Sequence, residues 1–127
     1  MGTEHKNQPF GRRLRCALQG LAFALRTEHS LRFQALTFAL LLLVLIVLRP
    51  APVWWALALL SATGVVAAEL FNTALEQLAD HLHPEMHARI RLVKDCAAAA
   101  VLVAVAGALA VGIALLVHLS HERLLIE

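Results

Sequence analysis

The sequence predicts an all-α integral membrane protein with an N-terminal interfacial amphipathic helix and three transmembrane helices. Hydrophobic residues make up 60% of the 127 residues and charged residues only 16%, a balance that is unusual for a soluble domain. Three stretches of 16, 19 and 22 residues without an acidic or basic side chain cover positions 33–48, 50–68 and 96–117. Because a helix needs about 20 apolar residues to cross a bilayer, each stretch predicts one crossing.

The predicted organisation divides the chain into four parts. A disordered N-terminus (1–10) precedes an interfacial helix (11–29), a three-span domain occupies 30–119, and a C-terminal tail covers 120–127. The spans are expected at about 32–49, 53–79 and 94–118, and two prolines in Arg49-Pro50-Ala51-Pro52 predict a tight turn after the first. The chain has no room for a soluble catalytic domain and carries no phosphate-loop motif, so any chemistry must come from the helices.

The interfacial helix is predicted from the separation of its apolar and basic side chains. At 100° per residue, four leucines fall on one side of the helix: Leu14, Leu18, Leu21 and Leu25. Polar residues point away from them: Arg12, Arg15, Gln19 and Arg26. If the helix continues to residue 29, Glu28 projects on the leucine side, which places a carboxylate toward the bundle. This pattern is typical of a helix that lies in the membrane interface.

The distribution of cationic residues predicts the orientation in the membrane. Nine of the eleven lysine and arginine residues lie before the first span or between the second and third spans, whereas Arg49 and Arg123 lie on the other side. Because cationic loops stay on the cytoplasmic side, the N-terminus is expected inside and the C-terminus outside. The net charge of +2 is too small to predict binding to nucleic acid.

The third span carries a small residue at every fourth position. These residues are Ala100, Ala104, Ala108 and Gly112. Such a stripe lets another helix approach closely. The contact can lie within the chain or between copies, and the sequence leaves both open.

A polar constellation occupies the cytoplasmic end of the second span. Five polar residues of the run 69–80 lie within about 60° of Glu69 on one helix face: Glu69, Asn72, Thr73, Glu76 and Asp80. A carboxylate at membrane depth costs roughly 2.5–3.5 kcal/mol and indicates a functional site. The mutual repulsion of Glu69 and Glu76 would be relieved by a hard cation such as Mg²⁺, which binds carboxylate and phosphate oxygens. Lys94, at the start of the third span, is suited to a phosphate oxygen.

Two other functional classes are compatible with parts of this pattern. A small oligomeric proton-coupled transporter would use an intramembrane glutamate such as Glu69, and a non-catalytic membrane subunit would use the polar face to bind a partner helix. Neither explains why the acids cluster with Lys94 at one end of the membrane. His81, His83 and His87 are interpreted as solvated loop residues, because their spacing is a weak zinc pattern and no cysteine completes four ligands.

Three segments resemble motifs of the prokaryotic diacylglycerol kinase family, in the same order and on the same three-span plan. The run Glu69-Leu70-Phe71-Asn72-Thr73-Ala74-Leu75-Glu76, followed by Asp80, is similar to the first family signature. The run Lys94-Asp95-Cys96-Ala97-Ala98-Ala99-Ala100-Val101 resembles the second, and Arg26-Thr27-Glu28 resembles the segment before the first span. The resemblance covers about residues 10–118.

The resemblance implies a homotrimeric kinase of the bacterial inner membrane that transfers the γ-phosphoryl group of Mg-ATP to a lipid alcohol. Glu69 would be the general base, and Glu28 and Glu76 would hold the metal ions. The implied ATP-binding residues are Glu28, Asn72, Glu76, Glu85, Met86, His87, Lys94 and Asp95. The implied substrate-binding residues are Glu69, Gln34 and Ala98. The acceptor would be diacylglycerol, or undecaprenol, since residues 24–28 and 83–84 are closer to that branch of the family.

Overall fold

The computed structural model describes residues 9–82 and 87–124, and the secondary structure in these ranges is helical. The four helices are α1 (Phe10–Thr27), α2 (His29–Leu48), α3 (Pro52–Leu82) and α4 (Ala88–Leu124). The last three are long and apolar enough to cross a membrane. The predicted all-α architecture with three membrane-length apolar helices is therefore confirmed.

The joint between α1 and α2 lies at Glu28, and it corrects the predicted helix over 11–29. Glu28 has an extended backbone with φ −97° and ψ 119°, and its N–H closes α1 by donating to the Ala24 carbonyl at 2.8 Å. Glu28 therefore lies outside α1, and its direction does not follow from the periodicity of that helix. Ala24 and Leu31, one turn on either side, are buried.

The turn between α2 and α3 has the tight form that its two prolines predict. Arg49 adopts a left-handed conformation with φ 46° and caps α2 through an N–H donated to the Leu45 carbonyl at 2.9 Å. Pro52 is the first residue of α3, a position where the missing N–H costs no helical hydrogen bond. The turn thus reverses the chain within a few residues.

Helices α3 and α4 form an antiparallel hairpin, the most extensive helix pair of the described chain. Trp54 stacks at a tilt on His118, with ring centroids 5.2 Å apart, and Ala58 packs with Leu115. Near the other end of the hairpin, the Lys94 ammonium donates a hydrogen bond to Asp80 Oδ1. This register places Glu69 opposite the part of α4 around Ala104, so small side chains of α4 line up with the polar stretch of α3.

One cluster of buried hydrophobic residues lies at the end of the bundle that contains the Arg49 turn. Leu45 of α2, Ala58 of α3 and Leu115 of α4 are buried together. Partly buried side chains pack around them: Leu41, Trp54, Trp55 and Leu119. This cluster joins three helices at one end of the bundle, and buried residues such as Leu31 and Ala97 lie nearer the other end.

Helix α4 begins earlier and ends later than the predicted third span. It starts at Ala88, so Lys94 and Asp95 lie in its second turn rather than at its beginning, and it continues through Leu124 into the expected tail. The residues 88–93 contain no glycine or proline, and Arg89 and Arg91 are exposed at the polar end, so nothing interrupts the helix there. Similarly, α3 extends to Leu82, which makes His81 helical and exposed rather than part of a loop.

Candidate active site

The polar face of α3 runs from the interior of the bundle to its surface. Glu69 and Thr73 are both 6% exposed, Asn72 and Glu76 are half-buried, and Asp80 is exposed. These five residues belong to one uninterrupted helix, so the expected common face exists. A carboxylate is therefore buried at one end of a polar stripe that opens toward the surface at the other.

The local sequence explains why this stripe faces inward. Four of the five buried residues of α3 lie on one side of the helix, within about 40° of the direction of Glu69: Ala58, Val65, Glu69 and Thr73. Ala79, the fifth, lies about 80° from Glu69. Three of the five are small or β-branched apolar residues that pack against the neighbouring helices. Glu69 occupies the same row and is buried because the helix is anchored by apolar residues on both sides of it.

Asn72 and Glu76 form a hydrogen-bonded pair one helical turn apart. The Asn72 Nδ2 donates to Glu76 Oε1 at 2.9 Å. Asn72 Oδ1 is buried and has no hydrogen-bond partner among the residues that the structure describes. The pair thus presents oxygen atoms that can accept a hydrogen bond or bind a hard cation.

Lys94 and Asp95 project from the second turn of α4. The Lys94 ammonium contacts Asp80 Oδ1 at 2.5 Å and links α4 to α3. Asp95 lies 3.9 Å from Arg91 Nε, four residues earlier, and both side chains are mostly exposed. The structure therefore places Lys94 beside the polar stripe and Asp95 on the solvent side.

The carboxylates do not form a ready-made metal cage in the single chain. Within residues 9–82 and 87–124, no three histidine, cysteine or acidic side chains are grouped closely enough to hold a metal ion. Glu28, at the α1–α2 joint, is half-buried, as is Glu76. The donor set still fits Mg²⁺ that arrives with a nucleotide, because this ion usually takes one or two carboxylates and fills its shell with water and phosphate oxygens.

An apolar cleft of about 420 Å³ lies between α2 and α4, with α3 as its floor. On α3 it is lined by Ala58, Ser61, Ala62, Val65 and Val66. The backbones of α2 and α4 do not approach each other closely in the described part of the chain, which leaves the cleft between them. Glu69 follows Val65 by one turn on the same face of α3, about 6 Å along the helix axis. The cleft thus runs toward the buried carboxylate.

The two expected substrate residues occupy different environments. Gln34 lines the cleft, and its Oε1 is buried without a hydrogen-bond partner in the described ranges. Ala98 is exposed on α4 and does not line the cleft. The small-residue stripe of α4 is divided as well, since Ala108 and Gly112 form part of the cleft wall.

Of the three residues between α3 and α4 that are expected to contact the nucleotide, the structure describes only His87. His87 is exposed, and its Nδ1 accepts a hydrogen bond from the Arg89 N–H at 3.2 Å. Glu85 and Met86 lie outside the described residues, as does His83.

Two features of the site are absent from the sequence-based prediction. The first is the Asp80–Lys94 contact, and the second is the cleft that Val65 and Gln34 share. Both depend on how α2, α3 and α4 are placed relative to one another. Asp80 lies on the predicted polar face, and its opposite charge to Lys94 is the available signal for the first feature.

The fold and the site define a small all-helical protein of the membrane-spanning class, whose polar groups gather on one face of a long helix. The family model described as "Prokaryotic diacylglycerol kinase" matches residues 15–116 of this chain. A protein of Synechocystis named diacylglycerol kinase is 33% identical over 99 residues, which are 77% of this chain and 57% of that relative. The chain belongs to the prokaryotic diacylglycerol kinase family. It spans a little more than half the length of the relative it matches.

Proposed function

We propose that this protein is a membrane lipid kinase that transfers the γ-phosphoryl group of Mg-ATP to the hydroxyl group of a lipid alcohol. The observation that carries the proposal is the position of Glu69. This carboxylate is 6% exposed and lies at the buried end of the polar stripe, one helical turn after Val65, which lines the apolar cleft. A lipid alcohol needs an apolar cleft for its hydrocarbon chain, and a nucleotide needs polar side chains for its phosphates. Diacylglycerol is the acceptor that family membership favours, with undecaprenol as the alternative.

The chemistry follows from the side chains along the stripe. The Glu69 carboxylate accepts the proton of the lipid hydroxyl group while the oxygen of that hydroxyl group attacks the γ-phosphorus of ATP. The bond between the γ-phosphorus and the bridging oxygen breaks, ADP leaves, and Glu69 later releases the proton to water. This reaction needs positioning and neutralisation of charge more than covalent catalysis, so a few well-placed side chains are sufficient.

The remaining residues bind the nucleotide. Lys94 carries a positive charge beside the stripe and is suited to phosphate oxygens, while Asn72 and Glu76 offer adjacent oxygen atoms. Glu28 and Glu76 would hold Mg²⁺, which when bound neutralises phosphate charge. Asp95, His87, Glu85 and Met86 are proposed to contact the rest of the nucleotide. Gln34 and Ala98 are proposed to contact the lipid, and the cleft position of Gln34 supports its assignment.

We place this site at the cytoplasmic face of the bacterial inner membrane, with the N-terminus inside and the C-terminus outside. Support comes from the arginine-rich α1 and the start of α4, which carry most of the cationic residues. The apolar side chains of α1 are exposed, Leu18 by 57% and Phe10 by 77%, which suits a helix lying in the lipid interface. The proposal is tested by labelling Arg12→Cys and Glu122→Cys variants, made without Cys16 and Cys96, with a membrane-impermeant maleimide. Labelling of Arg12→Cys in intact cells would contradict the orientation.

We propose a homotrimer as the working assembly. Small exposed residues of α4 that do not line the cleft, such as Ala100 and Gly107, leave a surface on which another helix can approach closely. Native mass spectrometry from detergent is the direct measurement. A monomer with full specific activity would contradict the proposal.

The decisive experiment measures transfer of labelled γ-phosphate from ATP to each lipid alcohol. The purified protein is assayed with Mg²⁺ and diacylglycerol, with undecaprenol, and without an acceptor, and the labelled lipid is identified by chromatography. A Glu69→Gln variant of the same assembly state is the matched control. We expect wild-type protein to label one lipid product and Glu69→Gln to label none. Proton-coupled transport activity without nucleotide consumption would favour the transporter, the competing interpretation of an intramembrane glutamate.

A further inference from the structure

The cross-helix contact between Asp80 and Lys94 has no role in the chemistry described above. Asp80 Oδ1 lies 2.5 Å from Lys94 Nζ, and the two residues are 14 positions apart, Asp80 on α3 and Lys94 on α4. We propose that Asp80 is a positioning residue that holds the Lys94 ammonium beside the polar stripe for the phosphates of the nucleotide. The inference rests on the proposed kinase function and assigns a residue that the function itself does not require.

The location of Asp80 is suited to this role. Asp80 lies one helical turn after Glu76 on the same face of α3, and Glu76 is already paired with Asn72. Asp80 therefore holds the ammonium group one helical turn, about 6 Å along the axis of α3, from Glu76, which is proposed to face the nucleotide. The lysine comes from α4, so the contact also sets how Lys94 lies relative to α3.

The hydrogen-bonding capacity of lysine allows Asp80 and a phosphate to bind at the same time. The ammonium group has three N–H donors, of which Asp80 uses one. Two donors remain for phosphate oxygens. The carboxylate thus holds the ammonium without consuming its capacity to bind the nucleotide.

The exposure of the pair argues against a purely structural purpose. The side chains of Lys94 and Asp80 are 34% and 63% exposed. Ion pairs as accessible as this one contribute little to the stability of a fold. Without Asp80, the flexible stem of Lys94 would let its charged group move out to water, as lysines do at membrane interfaces. Loss of Asp80 is therefore expected to weaken nucleotide binding rather than to lower the free energy of unfolding.

A double-mutant cycle tests the proposal on the full-length protein in detergent. The dissociation constant for Mg-ATP is measured by calorimetry for wild type, Asp80→Ala, Lys94→Ala and the double variant. We expect Asp80→Ala to weaken binding about tenfold, as the loss of a charge-assisted contact does. We expect no further effect of Asp80→Ala in the Lys94→Ala background, because Asp80 acts through Lys94. Asp80→Glu should bind Mg-ATP more tightly than Asp80→Ala does. The KM for the lipid should be unchanged in both Asp80 variants.

The controls separate this role from packing and from the proposed function. Glu122→Gln removes a carboxylate of similar exposure (59%) from the His118 pair at the other end of α4 and should leave Mg-ATP affinity unchanged. If Asp80→Ala does not assemble, Asp80→Asn serves in the cycle, since it keeps the size and removes the charge. Equal effects of Asp80→Ala with and without Lys94, or tighter binding in Asp80→Ala, overturn the inference while leaving the kinase intact. Unchanged affinity in Lys94→Ala would instead remove the proposed role of Lys94, and this inference with it.

Discussion

Asn72 donates a hydrogen bond from its side-chain amide to Glu76 Oε1 at 2.9 Å, on the half-buried part of α3. This contact offsets part of the cost of holding a carboxylate away from water. It also fixes the direction of the Glu76 carboxylate and leaves its second oxygen for other partners. With Asn72 Oδ1 unpaired in the described structure, the two residues form a small acceptor site between buried Glu69 and exposed Asp80.

Replacing Asn72 should damage nucleotide binding more than folding. Asn72→Leu removes both the donor to Glu76 and the unpaired oxygen, so we expect a rise of about tenfold or more in the KM for Mg-ATP. Steady-state kinetics and a thermal unfolding scan measure the two effects. Gln77→Leu is the matched control, because Gln77 is an exposed amide on the same helix. Equal losses in both variants would show that the acceptor site has no special role.

Replacing Glu69 should abolish turnover while the protein still assembles. Glu69→Gln keeps the size of the side chain and removes the base, so kcat should fall by about 10²–10⁴-fold, the usual contribution of general base catalysis. The KM for Mg-ATP should change little. Burial of a neutral amide costs less than burial of a carboxylate, so thermal stability should be equal or higher. Turnover near that of wild type would exclude Glu69 as the base.

Replacing the two proposed metal-binding glutamates should raise the Mg²⁺ requirement. Glu28→Gln and Glu76→Gln each remove one anionic ligand, so half-maximal activity should need about tenfold more Mg²⁺. The measurement is a Mg²⁺ titration at fixed ATP. Glu122→Gln, at the far end of α4, should keep the wild-type titration curve. Unchanged titration curves in both site variants would mean that the ion is held elsewhere.

The polar face of α3 could be predicted from the sequence because it depends on one helix only. At 100° per residue the relative directions of Glu69, Asn72 and Asp80 are fixed once residues 69–80 are helical. The three apolar helices were predictable for a similar reason, since length and composition define them. Positions within a single regular element follow from the chain alone.

The helix break at Glu28 and the contacts between helices could not be obtained in this way. No glycine or proline lies near Glu28 to signal the break, and the burial of Ala24 and Leu31 on either side of it depends on the tertiary structure. The Asp80–Lys94 contact and the cleft likewise require the register of α3 against α4. That register depends on side-chain packing at the far end, including the Trp54–His118 contact, which periodicity does not encode.

Truncating the core at the Arg49 end should destabilise the bundle without touching the site. Leu45 is 0% exposed and packs with Ala58 and Leu115, so Leu45→Ala should lower the free energy of unfolding by about 1–3 kcal/mol. The loss is smaller than in a soluble core because lipid also solvates leucine. Unfolding by denaturing detergent in mixed micelles measures it. Leu43→Ala is the same change on the same helix at a residue that is 57% exposed, and it should have little effect.

Filling the apolar cleft should weaken the lipid substrate and spare the nucleotide. Ala62 lines the cleft on α3, so Ala62→Phe would place a ring where the hydrocarbon chain of the acceptor is proposed to lie. We expect the KM for the lipid to rise at least about tenfold, since a chain excluded from several methylene contacts loses this much or more. The affinity for Mg-ATP should stay at the wild-type value. Ala56→Phe, an exposed site on the same helix, is the control for bulk alone. An unchanged lipid KM in Ala62→Phe would mean that the acceptor reaches Glu69 by another path, because a cleft narrowed by a phenyl ring cannot hold the same chain.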